Sequence, residues 1–200
     1  CGDEYECIEY FRNIPLQFES TAYQLNKPIK GDALIAFSKK KVLELSRYYQ
    51  DRGFKTSIIY GDLPPEVRRI QYQSFSEGQS ELLISTDAIG MGVNLPIRRI
   101  VFVSAKKFDG EVVRELTSQE VKQIAGRAGR KGIYEIGYVT GLDEHLAFVK
   151  EKLECKDEVI QQAIIGPHES MLEIKGIPLI EKLMIWENHY QDIHHYKKMD

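Results

Sequence analysis

Two arginines three residues apart, Arg127 and Arg130, stand in the run Gln123-Ile124-Ala125-Gly126-Arg127-Ala128-Gly129-Arg130. A guanidinium is permanently charged and donates through a planar fork, so a pair about one helical turn apart suits a single phosphate. At about 100° per residue, a helix would put Gln123, Arg127 and Arg130 on one side and Val121, Ile124, Ala125 and Ala128 on the other. The run is therefore expected to pack with one face and to reach a phosphate with the other, as an arginine finger does. Gly126 and Gly129 would each cost a helix about 1 kcal/mol relative to alanine, so backbone is expected to approach a phosphate or a neighbouring strand there. Taken alone, the run also fits a solvated basic face near a helix C-terminus, where arginine complements the dipole.

The elements that must position these arginines are legible from Gly31 onward. Ala33–Phe37 reads as a strand, Lys39–Arg52 as a helix stopped by Gly53, and Thr56–Tyr60 as a second strand. Pro65 can open the next helix at its first position, and that helix runs to about Ser76. Leu82–Ser85, Ile100–Val103 and Ile136–Thr140 read as three more buried strands. Continuous apolar strands alternating with helices predict an α/β fold with a parallel sheet covered on both faces and ligand sites at the strand carboxyl ends. Ser38, Gly61 and Thr86 stand at such ends. Lys106 to Arg114, centred on Asp109-Gly110, predicts a hairpin. Thr117-Ser118-Gln119-Glu120 has capping-box spacing, so the arginine helix is expected to start at Ser118 with Thr117 as its cap.

Outside this core the pattern weakens. A short strand at Ile8–Phe11 followed by a linker is expected in the first 30 residues. After Gly141 the texture becomes helical without strands, over Glu144–Glu154, Asp157–Ile165 and Pro178–Lys197. Leu179, Leu183, Trp186, Tyr190 and Ile193 make a packing stripe on the last of these.

Composition excludes several classes. The apolar and charged fractions are those of a globular chain, and a net charge of −3 leaves any nucleic-acid contact to local clusters. Cys1, Cys7 and Cys155 are an odd, scattered set that argues for a reducing compartment over a disulfide framework or structural zinc. His189, His194 and His195 lack the one-turn spacing of a helical ligand pair, so no metal site is expected. No apolar run is long enough for a membrane helix, and no membrane partner is expected. The start at Cys1 suggests a piece of a longer protein.

Four strings in series carry a resemblance: Ala33-Leu34-Ile35-Ala36-Phe37-Ser38, then Tyr60-Gly61-Asp62-Leu63-Pro64-Pro65, then Ser85-Thr86-Asp87-Ala88-Ile89-Gly90-Met91-Gly92-Val93-Asn94-Leu95, then the arginine run. Their order and spacing resemble motifs IV, IVa, V and VI of superfamily 2 helicases. The second and third strings look most like the Suv-three-like DExH RNA helicases of the mitochondrial degradosome and their bacterial relatives. Lys107-Phe108-Asp109-Gly110 is also similar to the Ski-two-like group. The short hairpin and compact helical tail depart from the mitochondrial members, which points to a bacterial relative.

The resemblance implies the second of two RecA-like domains over 31–142, preceded by a leading strand and linker over 1–30 and followed by a helical accessory segment over 143–200. No G-x-x-x-x-G-K-[ST] loop occurs in the chain, so ATP and Mg2+ would be held mainly by the first domain. Arg127 and Arg130 would then meet the γ-phosphoryl group, with Gln123 orienting the phosphate or the attacking water. Asp87, Gly90 and Gly92 would face the nucleotide, the aspartate near the ribose. Single-stranded or tailed duplex RNA would run across Ser38, Gly61 and Thr86, with the Phe108 hairpin as a wedge. The fragment alone is expected to be inactive, and an exoribonuclease is a candidate partner. The compartment would be the bacterial cytoplasm, or the mitochondrial matrix in a eukaryote. A DNA helicase module, or a RecA-like RNA-binding scaffold without chemistry, uses the same residues differently.

Overall fold

The computed structural model describes residues 12, 14–90, 94–156, 163–167, 170–189 and 196–198. Six strands form one sheet: β1 (Leu16–Phe18), β2 (Asp32–Ile35), β3 (Thr56–Ile59), β4 (Leu82–Ser85), β5 (Arg99–Phe102) and β8 (Gly137–Gly141), in spatial order β1-β8-β5-β2-β4-β3. Every pairing in it is parallel. Between β5 and β8 the chain makes an antiparallel hairpin of β6 (Lys106–Phe108) and β7 (Val113–Glu115).

The sheet is apolar on both faces, as parallel strands between helices must be. In β2, Ala33 and Ile35 point to one layer and Leu34 to the other, all with no exposed surface. The first layer is closed by α2 (Pro65–Ser76) through Phe75, α3 (Ser118–Ala125) through Val121 and Ile124, and α4 (Asp143–Glu154) through Val149. The second is closed by α1 (Lys39–Gln50) through Val42, Leu45 and Tyr49, with Tyr23 beside them. Pro65 occupies the first position of α2, where its missing N–H costs no helical bond.

Two compact units divide the chain, Cys1–Lys156 and Asp157–Asp200. The first unit includes β1, whose residues read as linker, and α4, which lies beyond the expected boundary at 142. β1 extends the sheet by pairing Leu16 to Gly137 and Phe18 to Val139. The expected strand at Ile8–Phe11 lies outside the described residues, as do 157–162 and 190–195.

The second unit corrects the all-helical expectation. Ala163–Ile165, expected as the end of a helix, is strand β9, and Tyr196–Lys198 is strand β10, paired in parallel with it. Two β-branched residues followed by Gly166-Pro167 favour extended backbone over a helix end. The remaining elements are α5 (Ser170–Glu173) and α6 (Leu179–His189), the latter shorter than the expected Pro178–Lys197.

Candidate functional site

Helix α3 begins as its sequence dictates. Thr117 Oγ1 accepts from Glu120 N at 3.2 Å and the Glu120 carboxylate accepts from Thr117 N at 2.8 Å, a complete capping box. The helix then stops at Ala125, which corrects the expected face of Gln123, Arg127 and Arg130 on one continuous helix. Two short-range bonds, Arg127 N to Ile124 O and Ala128 N to Ala125 O, each 3.0 Å, tighten the chain into a turn. Gly129 follows at φ 82°, a conformation that L side chains rarely adopt, and donates to Ile97 O at 2.7 Å. The glycines serve a close approach to a strand: a Cβ on Gly129 would lie 3.1 Å from Gly137 N, and one on Gly137 would lie 2.5 Å from Ala128 O.

The arginine loop thus sits beside the amino ends of β5 and β8. Arg127 is half-buried and lines a cavity of about 300 Å³ with Ile89, Asn94, Leu95, Gly126 and Gly129. Arg130 is half-buried past the glycine turn, its carbonyl accepting from Tyr134 N at 2.8 Å. Gln123 is exposed on α3. Gly90 ends a 3-10 turn over Asp87–Gly90 that carries Ile89 into the same cavity wall, while Gly92 lies outside the described residues.

A second group gathers at the carboxyl ends of the strands. Ser38 is the exposed N-cap of α1, its hydroxyl accepting from Lys41 N at 3.2 Å. Ser38, Lys41, Lys106 and Phe108 line a groove of about 490 Å³ that also holds Phe37 and His145. Phe108 is 59% exposed at the hairpin tip, where a hydrophobic ring gains nothing by itself. Gly61 is exposed, and its carbonyl accepts from Arg68 Nη2 at 2.7 Å. Thr86 is buried, and its hydroxyl oxygen accepts from Ala88 N at 3.2 Å, so its side chain shapes the 3-10 turn.

Asp87 is tied to the hairpin. Its carboxylate pairs with Lys107 Nζ of β6 at 2.9 Å, and the same ammonium pairs with Glu120 at 3.0 Å. Glu120 is gripped by both terminal nitrogens of Arg114, at 2.9 and 3.0 Å, and Arg114 Nε reaches Asp109 at 3.0 Å. One chain of charges therefore joins the 3-10 turn, both hairpin strands and the start of α3. Nothing in the local pattern marks Glu120 beyond its cap role; its charge partners lie on another element.

This network has a pH signature. Hydrogen bonds from Arg114, outweighing burial and aided by Thr117 N–H and Lys107, hold the Glu120 carboxyl at about 2. Hydrogen bonding to Asp87 pushes Lys107 up, against a smaller opposing effect of burial and with help from Glu120. A depressed carboxyl stabilises the fold above its unfolded value of about 4.3, and that stabilisation fades as pH falls toward about 2. Glu120→Gln is expected to be less stable than the parent at pH 7 and to narrow the gap steadily between pH 4.5 and pH 2. Urea midpoints across that range check it; a constant gap would refute the linkage.

Among the described residues, no group of three or more His, Cys, Asp or Glu is placed to hold a metal ion, and no helix is long and apolar enough to cross a membrane.

Residues 17–132 match the helicase conserved C-terminal domain family. The chain is 37% identical over 186 residues to the ATP-dependent RNA helicase SUV3, mitochondrial, of Saccharomyces cerevisiae, covering 85% of this chain and 24% of that protein. It is 36% identical over 183 residues to the ATP-dependent RNA helicase SUPV3L1, mitochondrial, of Homo sapiens, covering 86% and 23%. It spans about a quarter of the length of these relatives. The C-terminal domain of the DEAD-box protein Dbp5 shares the fold, with a TM-score of 0.52 at 18% identity over 72% of this chain and 88% of that one. With a parallel six-stranded sheet, the capped α3 and the arginine loop set against β8, the chain belongs to the helicase conserved C-terminal domain family.

Proposed function

We propose that this chain is the second RecA-like module of an ATP-dependent RNA helicase of the Suv3 type, and that it closes over ATP seated on an upstream module. The observation that carries the reading is the cavity in which Arg127 stands beside Asn94 and two glycine backbones. These groups fit part of a nucleotide site: a fixed cation and close backbone, without the phosphate-binding loop and lysine that a complete site needs. ATP with Mg2+ supplies the transferable phosphoryl group. Arg127 places permanent charge where negative charge gathers on the phosphoryl oxygens, and Arg130 and Gln123 supplement it from the same connection. Asp87, held by Lys107, fixes the turn that ends at Gly90, so its contribution to the nucleotide acts through that turn.

The strand-end groove takes the nucleic acid. Ser38, Lys41 and Lys106 offer a hydroxyl and two ammonium groups to sugar-phosphate oxygens, which grips a strand without reading its sequence. Gly61 and Thr86 keep the adjoining loops in shape. Phe108, exposed at the hairpin tip, can stack on a base at a duplex junction. A role in RNA decay beside an exoribonuclease belongs to this reading through the resemblance of the motifs to the Suv-three-like group. The corresponding compartment is the bacterial cytoplasm, or the mitochondrial matrix for a eukaryotic source.

The test compares the intact protein with residues 1–200 alone. The intact protein is expected to hydrolyse ATP faster with single-stranded RNA than with DNA of the same sequence, and the isolated chain to show no magnesium-dependent turnover. Phe108→Ala in the intact protein is expected to lower unwinding of a three-prime-tailed duplex more than it lowers hydrolysis. Turnover by the isolated chain would overturn the two-module reading, and equal stimulation by DNA would overturn the RNA assignment.

A further inference from the structure

We infer that Arg12 is a positioning residue for the arginine loop, fixing the backbone from which Arg127 projects; the inference rests on the reading of Arg127 as the phosphate-facing charge. Arg12 stands before β1, more than a hundred residues from the loop in sequence. Its Nη1 donates to Gly126 O at 2.6 Å, its Nη2 donates to Ala128 O, and its Nε donates to Ile14 O. The first two acceptors are the carbonyls on either side of Arg127.

These are carbonyls that the end of a helix cannot satisfy for itself. A guanidinium there meets the negative end of the α3 dipole and supplies several donors in one plane. The loop's N–H groups are already committed, Arg127 N to Ile124 O, Ala128 N to Ala125 O and Gly129 N to Ile97 O. Arg12 commits two of the acceptors, so the peptide planes joining Gly126 to Arg127 and Ala128 to Gly129 are each held at both edges. The rest of the segment lies along the same loop. A Cβ on Gly129 would lie 2.7 Å from Ile14 Cγ2, and Pro15 O accepts from Gly137 N at 3.0 Å. On the two-module reading, the residues before β1 lead in from the upstream module, so the connection between modules also sets the aim of the arginine.

A helix cap of purely structural value would affect melting and little else. A positioning residue affects the turnover number and loses its effect once the group it positions is gone. The experiment uses the intact protein with saturating single-stranded RNA and compares Arg12→Ala, Arg12→Lys, Arg127→Ala and the Arg12→Ala/Arg127→Ala double variant, measuring kcat, KM for ATP and melting temperature. Arg12→Ala is expected to lower kcat by about 10²-fold, the scale of a small misplacement of a catalytic group. KM for ATP is expected to stay within about twofold. Added to Arg127→Ala, it is expected to lower kcat no further. Arg12→Lys keeps the charge but cannot span three carbonyls, so it is expected to fold and still to turn over slowly; it decides the matter where the alanine variant fails to fold. Normal kcat in either Arg12 variant, or losses that multiply in the double variant, would overturn the inference while leaving Arg127 in place. Normal kcat in Arg127→Ala would instead remove the reading on which it rests.

Discussion

Arg127→Ala in the intact protein is expected to lower kcat for ATP by about 10³-fold or more, with affinity for RNA in the absence of nucleotide unchanged. A guanidinium brought to a phosphoryl group in transfer contributes about 10³ to 10⁵ in rate, or about 4 to 7 kcal/mol of barrier. A solvated surface pair is worth about 1 kcal/mol or less, a factor of about five in rate, so the two readings of Arg127 differ by more than a hundredfold in what they predict. Arg127→Lys is expected to resemble the alanine variant, because an ammonium lacks the planar fork and, from this half-buried position in the cavity wall, places its charge differently. Arg130→Ala is expected to cost less, since Arg130 lies beyond the Gly129 turn and does not line the cavity that holds Arg127. Single-turnover hydrolysis with RNA bound separates these outcomes. A tenfold loss or less for Arg127→Ala would reduce that arginine to a packing role.

The frame that carries Arg127 was legible in the sequence because each clue to it is local. Strands buried on both faces read as continuous apolar runs, and the cap of α3 needs only Thr117 and Glu120, three residues apart. The path of the chain after Ala125 was not legible, because it depends on distant partners. Gly129 turns where it does because Ile97 O, Ile14 and Gly137 crowd it, and those contacts come from three other parts of the chain. A helical projection of the arginine run assumes that the helix continues, and the approach of β8 ends it. The network of Asp87, Lys107, Glu120, Arg114 and Asp109 exists only once the hairpin has folded over the start of α3. Strand β1 escaped because three residues beside a proline carry too little periodicity, although pairing with β8 makes them part of the sheet. Gly129 did signal a close approach, and of the two partners that the sequence allowed, the neighbouring strand is present in the fold; Gly126 meets carbonyls of its own helix and the Arg12 side chain instead.

Arg99→Leu is expected to destabilise the folded chain by about 3 to 5 kcal/mol, the cost of leaving a buried charge without its partner. Asp32 opens β2 and Arg99 opens β5, and strand register sets them side by side. Arg99 grips both oxygens of Asp32, Nε to Oδ1 at 2.9 Å and Nη2 to Oδ2 at 2.8 Å, and reaches Glu19 with Nη1 at 3.0 Å. Asp32 has no exposed surface, and its remaining bonds come from Tyr23 Oη at 3.1 Å and Ile29 N at 2.8 Å. Burial alone would push the Arg99 guanidinium down, but Asp32 and then Glu19 outweigh it and push it up. Arg99→Lys is expected to recover only part of the loss, since one ammonium cannot fork across a carboxylate. Changing Asp32 and Glu19 to asparagine and glutamine alongside Arg99→Leu is expected to restore much of the stability, because no bare charge is left inside. The cluster ties the first residues of β2 and β5 to Glu19, which follows β1, and shares no residue with the lining of the Arg127 cavity or the Phe108 groove. Its loss is therefore expected to lower the urea midpoint while kcat per folded molecule stays at the parent value, the reverse of the pattern for Arg127. A drop in kcat that tracked the stability loss across this series would mean that the Arg99 cluster itself takes part in catalysis.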